Sequence, residues 1–214
     1  MRAYAVLLIL LASCAHYDAT NAFIGLLLAQ GTSSSTSISS VASQRRIFLS
    51  ATTHNGNFGN IAAADALCNS DANRPATTST YKAFLADAAT RTACTSTLCV
   101  TNGILENVDW VLLANTTYYR ANGTTPIFTT NAAAIATFPF TNSFTGTAAV
   151  FWIGTRGTPS DWQGSTANRC NFWADGTAGF QGGTGIGNST SNTSIRNTAP
   201  NCNVLQSLLC VEQP

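Results

Sequence analysis

The sequence predicts an α+β domain built from short strands, one or two helices, long loops and disulfides. Three observations carry this. Short apolar runs recur between segments rich in Gly, Asn, Ser and Thr, the pattern of strands separated by turns. One segment is dominated by Ala and Leu and begins at a helix-capping residue. Six cysteines follow an export signal. Only 9 % of the 214 residues are charged and 45 % are hydrophobic, against about a quarter charged in an average soluble domain. Thr, Ser, Asn and Gly fill the difference. A net charge of +1 gives no field to attract nucleic acid or an anionic membrane surface.

The N-terminus reads as a lipoprotein signal peptide over residues 1–13. Met1-Arg2 supplies a positive start, and Ala3 to Ala12 is an apolar run. That run is too short to span a bilayer, which takes roughly 20 residues. It ends in Leu11-Ala12-Ser13-Cys14, a small-residue cleavage site that resembles a bacterial lipobox, with Cys14 as the lipidated first residue. The alternative is an ordinary signal peptide cut elsewhere. Residues 14–44 then form a tether: an apolar patch at Phe23 to Ala29, followed by a stretch of Ser, Thr and small residues. A flexible tether of about 30 residues spans roughly 30 Å.

The folded domain is expected over residues 45–214. Arg46 to Ser50 is a strand-like run. Thr52 to Asn60 is turn-rich, with Asn55-Gly56 as its clearest signal. Asn60 caps a helix expected from Ile61 to about Cys68. Tyr81 to Ala86 alternates weakly, as a strand does. Asp109 to Leu113 is apolar but too short for periodicity to separate helix from strand. Tyr118-Tyr119-Arg120, Asn122-Gly123 and Ile127-Phe128 make two strand pieces around a turn. Ala148 to Gly154 is a fully apolar strand, and Arg169 to Trp173 and Val204 to Val211 read as two more. Gly176 to Pro200 is a long loop of Gly, Asn, Ser and Thr. No repeat of fixed period is present.

Beyond Cys14 the cysteines are Cys68, Cys94, Cys99, Cys170, Cys202 and Cys210. An even number in an exported chain points to disulfides, whose connectivity sequence alone leaves open. Cys94 and Cys99, five apart, pair most simply with each other. A zinc site is the competing reading, but the chain has no CxxC pair and no His within 10 residues of any of the six.

Little in the composition suits an enzyme. There are two His, two Glu and a single Lys, Lys82. GxSxG, HExxH and P-loop patterns are absent, and the glycines at 182, 183, 185 and 187 lack GxGxxG spacing. A non-enzymatic protein without cofactors is therefore expected.

Trp152-Ile153-Gly154 resembles the WIG signature on a central strand of the C-type lectin-like fold. Cys68 follows a short helix, Cys170 precedes Asn171-Phe172-Trp173, and Cys202 and Cys210 stand eight apart near the end. This order resembles the nested bridges of C-type lectin-like and endostatin domains, which implies Cys68–Cys210 outside and Cys170–Cys202 inside. Tyr81 to Leu85 and the ending Cys210-Val211-Glu212-Gln213 also resemble endostatin. Arg46 to Gln213 as a whole most closely resembles an uncharacterised domain family of leptospiral lipoproteins. Some of those are described as endostatin-like surface proteins that bind extracellular matrix and complement regulators. The resemblance implies an outer-membrane lipoprotein exposed at the cell surface, with a host matrix or plasma protein as macromolecular partner. A calcium-independent glycan binder and a structural envelope lipoprotein are the alternatives. The lectin calcium triplets are missing: Trp173-Ala174-Asp175 keeps the ends of one but not its middle amide. No metal site is expected, since Asp161 and Asp175 alone fall short of the six to eight oxygens calcium takes.

The candidate binding residues lie in two loops, 156–162 and 176–200. The first offers Arg156, Asp161 and Trp162, and the second Arg196. Trp and Arg dominate interface hot spots. Trp162 has two readings: an exposed anchor for a partner, or a loop anchor tucked under the strands. For the N-terminus, the expected outcome is that labelled palmitate enters the wild-type chain in growing cells and not a Cys14→Ala variant.

Overall fold

The computed structural model describes residues 44–155 and 162–214. They form a mixed α+β domain around a curled sheet, with one substantial helix and three disulfides. The strands are β1 (Gln44–Leu49), β2 (Tyr81–Ala83), β3 (Thr117–Arg120), β4 (Pro126–Thr129), β5 (Val150–Trp152), β6 (Thr184–Ile186) and β7 (Ser207–Glu212). The sheet order is β4-β3-β1-β7-β5-β6, with β2 also paired to β7. β1 lies antiparallel to β7 and parallel to β3. Along its other edge β7 pairs first with β5 and then with β2.

β7 is buried at all six residues, and its side chains alternate between two cores as strand geometry requires. Leu208 and Cys210 enter one core with Phe48, Tyr81, Leu85, Trp152 and Trp173. Leu209 and Val211 enter the other with Ile47, Phe84, Tyr118, Phe151 and Ile153. A strand buried on both faces loses the apolar/polar alternation of a half-exposed one. This is why Leu208 to Val211 reads as a continuous apolar run.

The first core is covered by helix α1 (Ile61–Ser70). Asn60 caps it as expected, its Oδ1 accepting the Ala63 N–H at 2.8 Å. Ile61, Ala64 and Cys68 face the sheet, and the small Ala side chain lets helix and sheet approach closely. Cys68–Cys210 bolts α1 to β7 across 142 residues, worth about 5 kcal/mol in the chain-entropy treatment. Cys170–Cys202 lies inside it in the chain, and Cys94–Cys99 closes a short loop. The bridges are thus those expected from the resemblance and, for Cys94–Cys99, from spacing.

The second core is covered by irregular chain and is largely aromatic. Phe84, Trp110, Phe128, Phe140, Phe144, Phe151 and Trp162 are all buried there. Their rings pack edge-on or tilted, with centroids 4.7–6.3 Å apart, the arrangement that ring quadrupoles favour. All four tryptophans are buried, and each indole N–H donates to a backbone carbonyl of irregular chain. Trp110 donates to Ala134, Trp152 to His54, Trp162 to Ala136 and Trp173 to Ala86, at 2.8–3.1 Å. Buried coil is stable only if such carbonyls find donors.

Three local expectations need correction. Arg169 to Trp173 is not a strand. Cys170, Asn171, Phe172 and Trp173 all have φ between 44° and 63°, so the chain makes one left-handed turn. Ladder-like bonds from Trp173 N–H to Arg169 O at 2.7 Å and from Ala174 N–H to Cys170 O at 3.1 Å close it. Left-handed backbone costs roughly 1–2 kcal/mol per residue. The burial of Cys170 and Trp173 and the bridge to Cys202 offset that cost. The 176–200 segment is not one open loop: it contains β6, paired to β5, and a single 3-10 turn at Asn192–Ser194. Asp109 to Leu113 is neither helix nor strand. The hairpin β3–β4, with its Asn122-Gly123 turn, stands as expected.

Gly154 explains the end of the Trp-Ile-Gly run. Its φ is +71°, and a Cβ there would lie 2.0 Å from the Ala86 carbonyl oxygen. Ala86 in turn donates its N–H to Ile153 O at 2.7 Å, so only glycine admits this crossing of chains. Replacing Trp162 by Ala removes a wholly buried ring and leaves the Ala136 carbonyl without its donor. The expected loss is about 3–5 kcal/mol. Thermal denaturation of that variant is expected to show Tm lowered by roughly 10 °C, at about 2–4 °C per kcal/mol for a domain of this size.

Candidate functional site

Of the four candidate binding residues in the two loops singled out from sequence, Trp162 and Arg196 lie among the described residues. Arg156 and Asp161 lie outside the described residues, as does Cys14. Trp162 is 0 % exposed and stacks on Phe138 at 5.9 Å. It is the tucked anchor, and no partner can reach it. Its polar neighbours in sequence signal a surface turn, but the aromatic core draws the ring inward. Arg196 is half-buried beside the 3-10 turn at 192–194.

Two charged constellations are built into the domain instead. Arg91 is 1 % exposed and is held by a fork of carboxylates. Nη1 and Nη2 donate to the two oxygens of Asp65 at 2.8 and 2.7 Å, and Nε and Nη2 to Asp109 Oδ2 at 3.0 and 2.6 Å. Nη1 also donates to the Ala83 carbonyl at 3.0 Å, while Asp65 accepts the Ala83 N–H at 2.8 Å. Lys82 completes the cluster on Asp109. Burial disfavours the Arg91 charge, but the hydrogen bonds and charges of Asp65 and Asp109 outweigh it and raise its pKa. Burial likewise pushes Asp109 up, and Lys82 and Arg91 more than reverse this. A shallow hollow of about 300 Å3 lies over the cluster, lined by Asn60, Asp65, Thr90, Arg91 and Asp109. Its charges are spent on one another, so the cluster ties α1, β2 and the 87–91 turn together. Asp87 holds that turn by accepting the N–H groups of Ala89, Thr90 and Arg91 at 2.8–2.9 Å.

The second constellation is a knuckle at 94–108. Two short 3-10 turns follow one another there, Thr97–Cys99, closed by Cys94–Cys99, and Gly103–Glu106. Glu106 is the sole charged residue from 92 to 108, and it faces inward. It accepts the N–H groups of Thr95, Ser96 and Asn102 and the hydroxyls of Thr95 and Ser96. These bonds, the Ser96 hydroxyl first, hold its carboxyl well below the usual carboxylate range. With its carboxylate consumed, the knuckle presents no ionised group. It does present Leu98, Val100, Ile104, Leu105 and Val108, with Leu105 84 % and Val100 75 % exposed. Five of the nine exposed large apolar side chains among the described residues are thus gathered in one stapled segment. Sequence alone does not mark it, because the run has neither strand nor helix periodicity. The one signal is a lone acid amid aliphatics, close after two cysteines.

Among the described residues no three His, Cys, Asp or Glu side chains converge as metal ligands, and no helix is long and apolar enough to cross a membrane. His54 packs against Phe58, and burial lowers its pKa against a smaller opposing pull from Asp71.

Residues 51–190 match a family described as protein of unknown function (DUF1554). The match covers well over half of the 214 residues, and the chain belongs to that family. It takes in α1, the Arg91 cluster and the knuckle, and leaves β1 and β7 outside. No curated protein matches the chain.

The bonded form of Glu106 is the ionised one. A carboxyl lowered on folding adds stability above its unfolded value, about 4.3. That stability drains away as the pH falls through the lower folded value. Amide exchange of Ser96 and Asn102, corrected for intrinsic rates, is expected to accelerate as the pH drops below about 4. A Glu106→Gln variant is expected to show the faster exchange already at neutral pH.

Proposed function

We propose that the domain is a non-enzymatic binding module, lipid-anchored through Cys14 and displayed at the outer surface of a bacterial cell. In this reading its fold is C-type lectin-like of the endostatin-like type, and its partner is a host matrix or plasma protein. Support for the fold comes from the nested bridges Cys68–Cys210 and Cys170–Cys202 around a mixed sheet and from the Trp152-Ile153-Gly154 crossing. Support for the anchor is the signal-like run ending at Cys14.

The observation that carries the binding reading is the knuckle. Apolar side chains on a monomer surface are ordinarily scattered, and a gathered set marks a contact site. Here the set is pre-ordered by a disulfide and by the Glu106 bonds, so little conformational entropy is lost on docking. Its lack of charge favours a protein surface with a complementary apolar cleft and leaves the contact nearly indifferent to salt.

The test uses the full chain and a panel of immobilised matrix and plasma proteins. The wild type is expected to bind at least one, and Val100→Asp with Leu105→Asp to weaken it at least tenfold, about 1.4 kcal/mol, with Tm unchanged. Wild-type retention by none of the panel, or equal binding by the double variant, overturns the reading. So does selective capture by neutral lipid vesicles. Proteolytic shaving of intact cells that spares the domain removes its surface placement.

A further inference from the structure

The chain contains three Asn-Gly pairs, Asn55-Gly56, Asn102-Gly103 and Asn122-Gly123. This dipeptide carries a latent reaction. The glycine nitrogen attacks the side-chain carbonyl carbon of the preceding asparagine, because glycine has no Cβ to obstruct the approach. The attack needs a free nitrogen, a side chain not held elsewhere, and room for the backbone between them to turn. The fold withholds these from two of the pairs. At Gly56 the N–H donates to the Cys202 carbonyl at 2.7 Å, and Asn55 Oδ1 accepts the Asn57 N–H at 3.1 Å. At Gly123 the N–H donates to the Arg120 carbonyl at 2.8 Å. Asn122 Oδ1 accepts the N–H groups of Thr124 and Thr125 at 3.0 and 3.1 Å, and its Nδ2 donates to Thr125 Oγ1 at 2.9 Å.

Asn102-Gly103 is built differently. It lies in the knuckle, where Gly103 opens the second 3-10 turn, a position whose N–H has no acceptor within the turn. Among the described residues no backbone carbonyl takes the Gly103 N–H, and the Asn102 side chain makes no capping bond. Asn102 is exposed. Gly103 has φ +58°, and nothing lies within 4 Å of where a Cβ would stand. One bond opposes the turn of the backbone, from the Leu105 N–H to the Asn102 carbonyl at 3.2 Å, the long end of the ordinary range.

We propose that Asn102 is a modification site, at which the knuckle spontaneously loses a side-chain amide and acquires a negative charge. The Gly103 nitrogen bonds to Asn102 Cγ, the Cγ–Nδ2 bond breaks, and ammonia leaves with the proton that the Gly103 nitrogen gives up. The cyclic imide left behind takes up one water. Opening at one carbonyl gives aspartate. Opening at the other gives isoaspartate, in which the main chain runs through the side-chain carbons. The net exchange is water for ammonia, with no oxidant or other reagent. Its consequence rests on the contact reading above. The exposed aliphatic set carries no ionised group, and the new carboxylate stands beside Glu106, whose Oε1 accepts the Asn102 N–H at 3.0 Å. An apolar cleft docked over it would bury an unpaired charge, which is costly. Isoaspartate also lengthens the chain between the two turns. The contact therefore has a lifetime written into its own surface.

The test holds the full chain at mildly alkaline pH and maps successive samples by peptide mass spectrometry, with isoaspartate marked by isoaspartyl methyltransferase. Asn102 is expected to convert at least tenfold faster than Asn55 or Asn122. In the reduced chain in denaturant the three pairs are expected to convert at similar rates, since the bonds that hold Gly56 and Gly123 are gone. Gly103→Ala, whose Cβ meets no neighbour, is expected to slow conversion at Asn102 at least tenfold. Equal rates at the three pairs in the native chain, faster conversion at Asn55 or Asn122, or an unchanged rate in Gly103→Ala overturns the proposal. Asn102→Asp, which carries the charge from the outset, is expected to lose at least tenfold of the affinity that the wild type shows for its partner in the panel above. Equal binding by that variant overturns the consequence for the contact. A panel that retains no wild type overturns the contact reading alone, and the mapping still decides the modification.

Discussion

The demand of β7 for cover on both faces governs the rest of the domain. Six consecutive residues there are removed from water, and its backbone is satisfied by β1 on one side and by β5 and β2 on the other. Neither face can be left open without exposing Leu208 and Cys210 or Leu209 and Val211. One face receives α1, locked on by Cys68–Cys210. The other receives no α-helix among the described residues, and irregular chain rich in Phe and Trp must do the same work. The asymmetry between a helical side and a coiled side follows from that one strand.

Coil can cover a core only if its peptide groups are answered. The indole N–H groups answer carbonyls from inside. Short polar side chains answer N–H groups from outside, as Asn131 does for Ala133, Asn122 for Thr124 and Asp87 for Ala89. The abundance of Asn, Thr and Ser in a chain with few charges thus has a structural cause. These residues bond their own backbone two or three positions on, and they replace the helix and sheet ladders that the segments lack.

The features legible in sequence are those fixed locally. Asn60 before an Ala-rich run announces α1, Asn122-Gly123 announces the β3–β4 hairpin, and the five-residue spacing of Cys94 and Cys99 announces their bridge. The family pattern, not the residues themselves, points to the two longer bridges. What stays hidden depends on partners distant in the chain. Trp162 sits among Ser, Asp, Gln and Gly and reads as surface, yet rings from 84, 110 and 138 enclose it. The turn at Cys170–Trp173 reads as strand because β-type residues fill it, while a bridge and a buried indole impose left-handed backbone. The knuckle is of this hidden kind: its aliphatic side chains are left uncovered by the described residues.

The position of β1 has a mechanical consequence. It is flanked by β3 in parallel and β7 in antiparallel, and the chain enters it at Gln44, beside the exit of β7, where the Arg45 guanidinium donates to Gln213 O at 3.1 Å. A pull transmitted along the strand through the residues before Gln44 loads the bonds on both edges of β1 together, in shear. Those bonds cannot break in succession, as the rungs of a hairpin do when it is pulled open from its end. Cys68–Cys210 prevents the neighbouring β7 from sliding away with it. A domain loaded in this way transmits force before it yields.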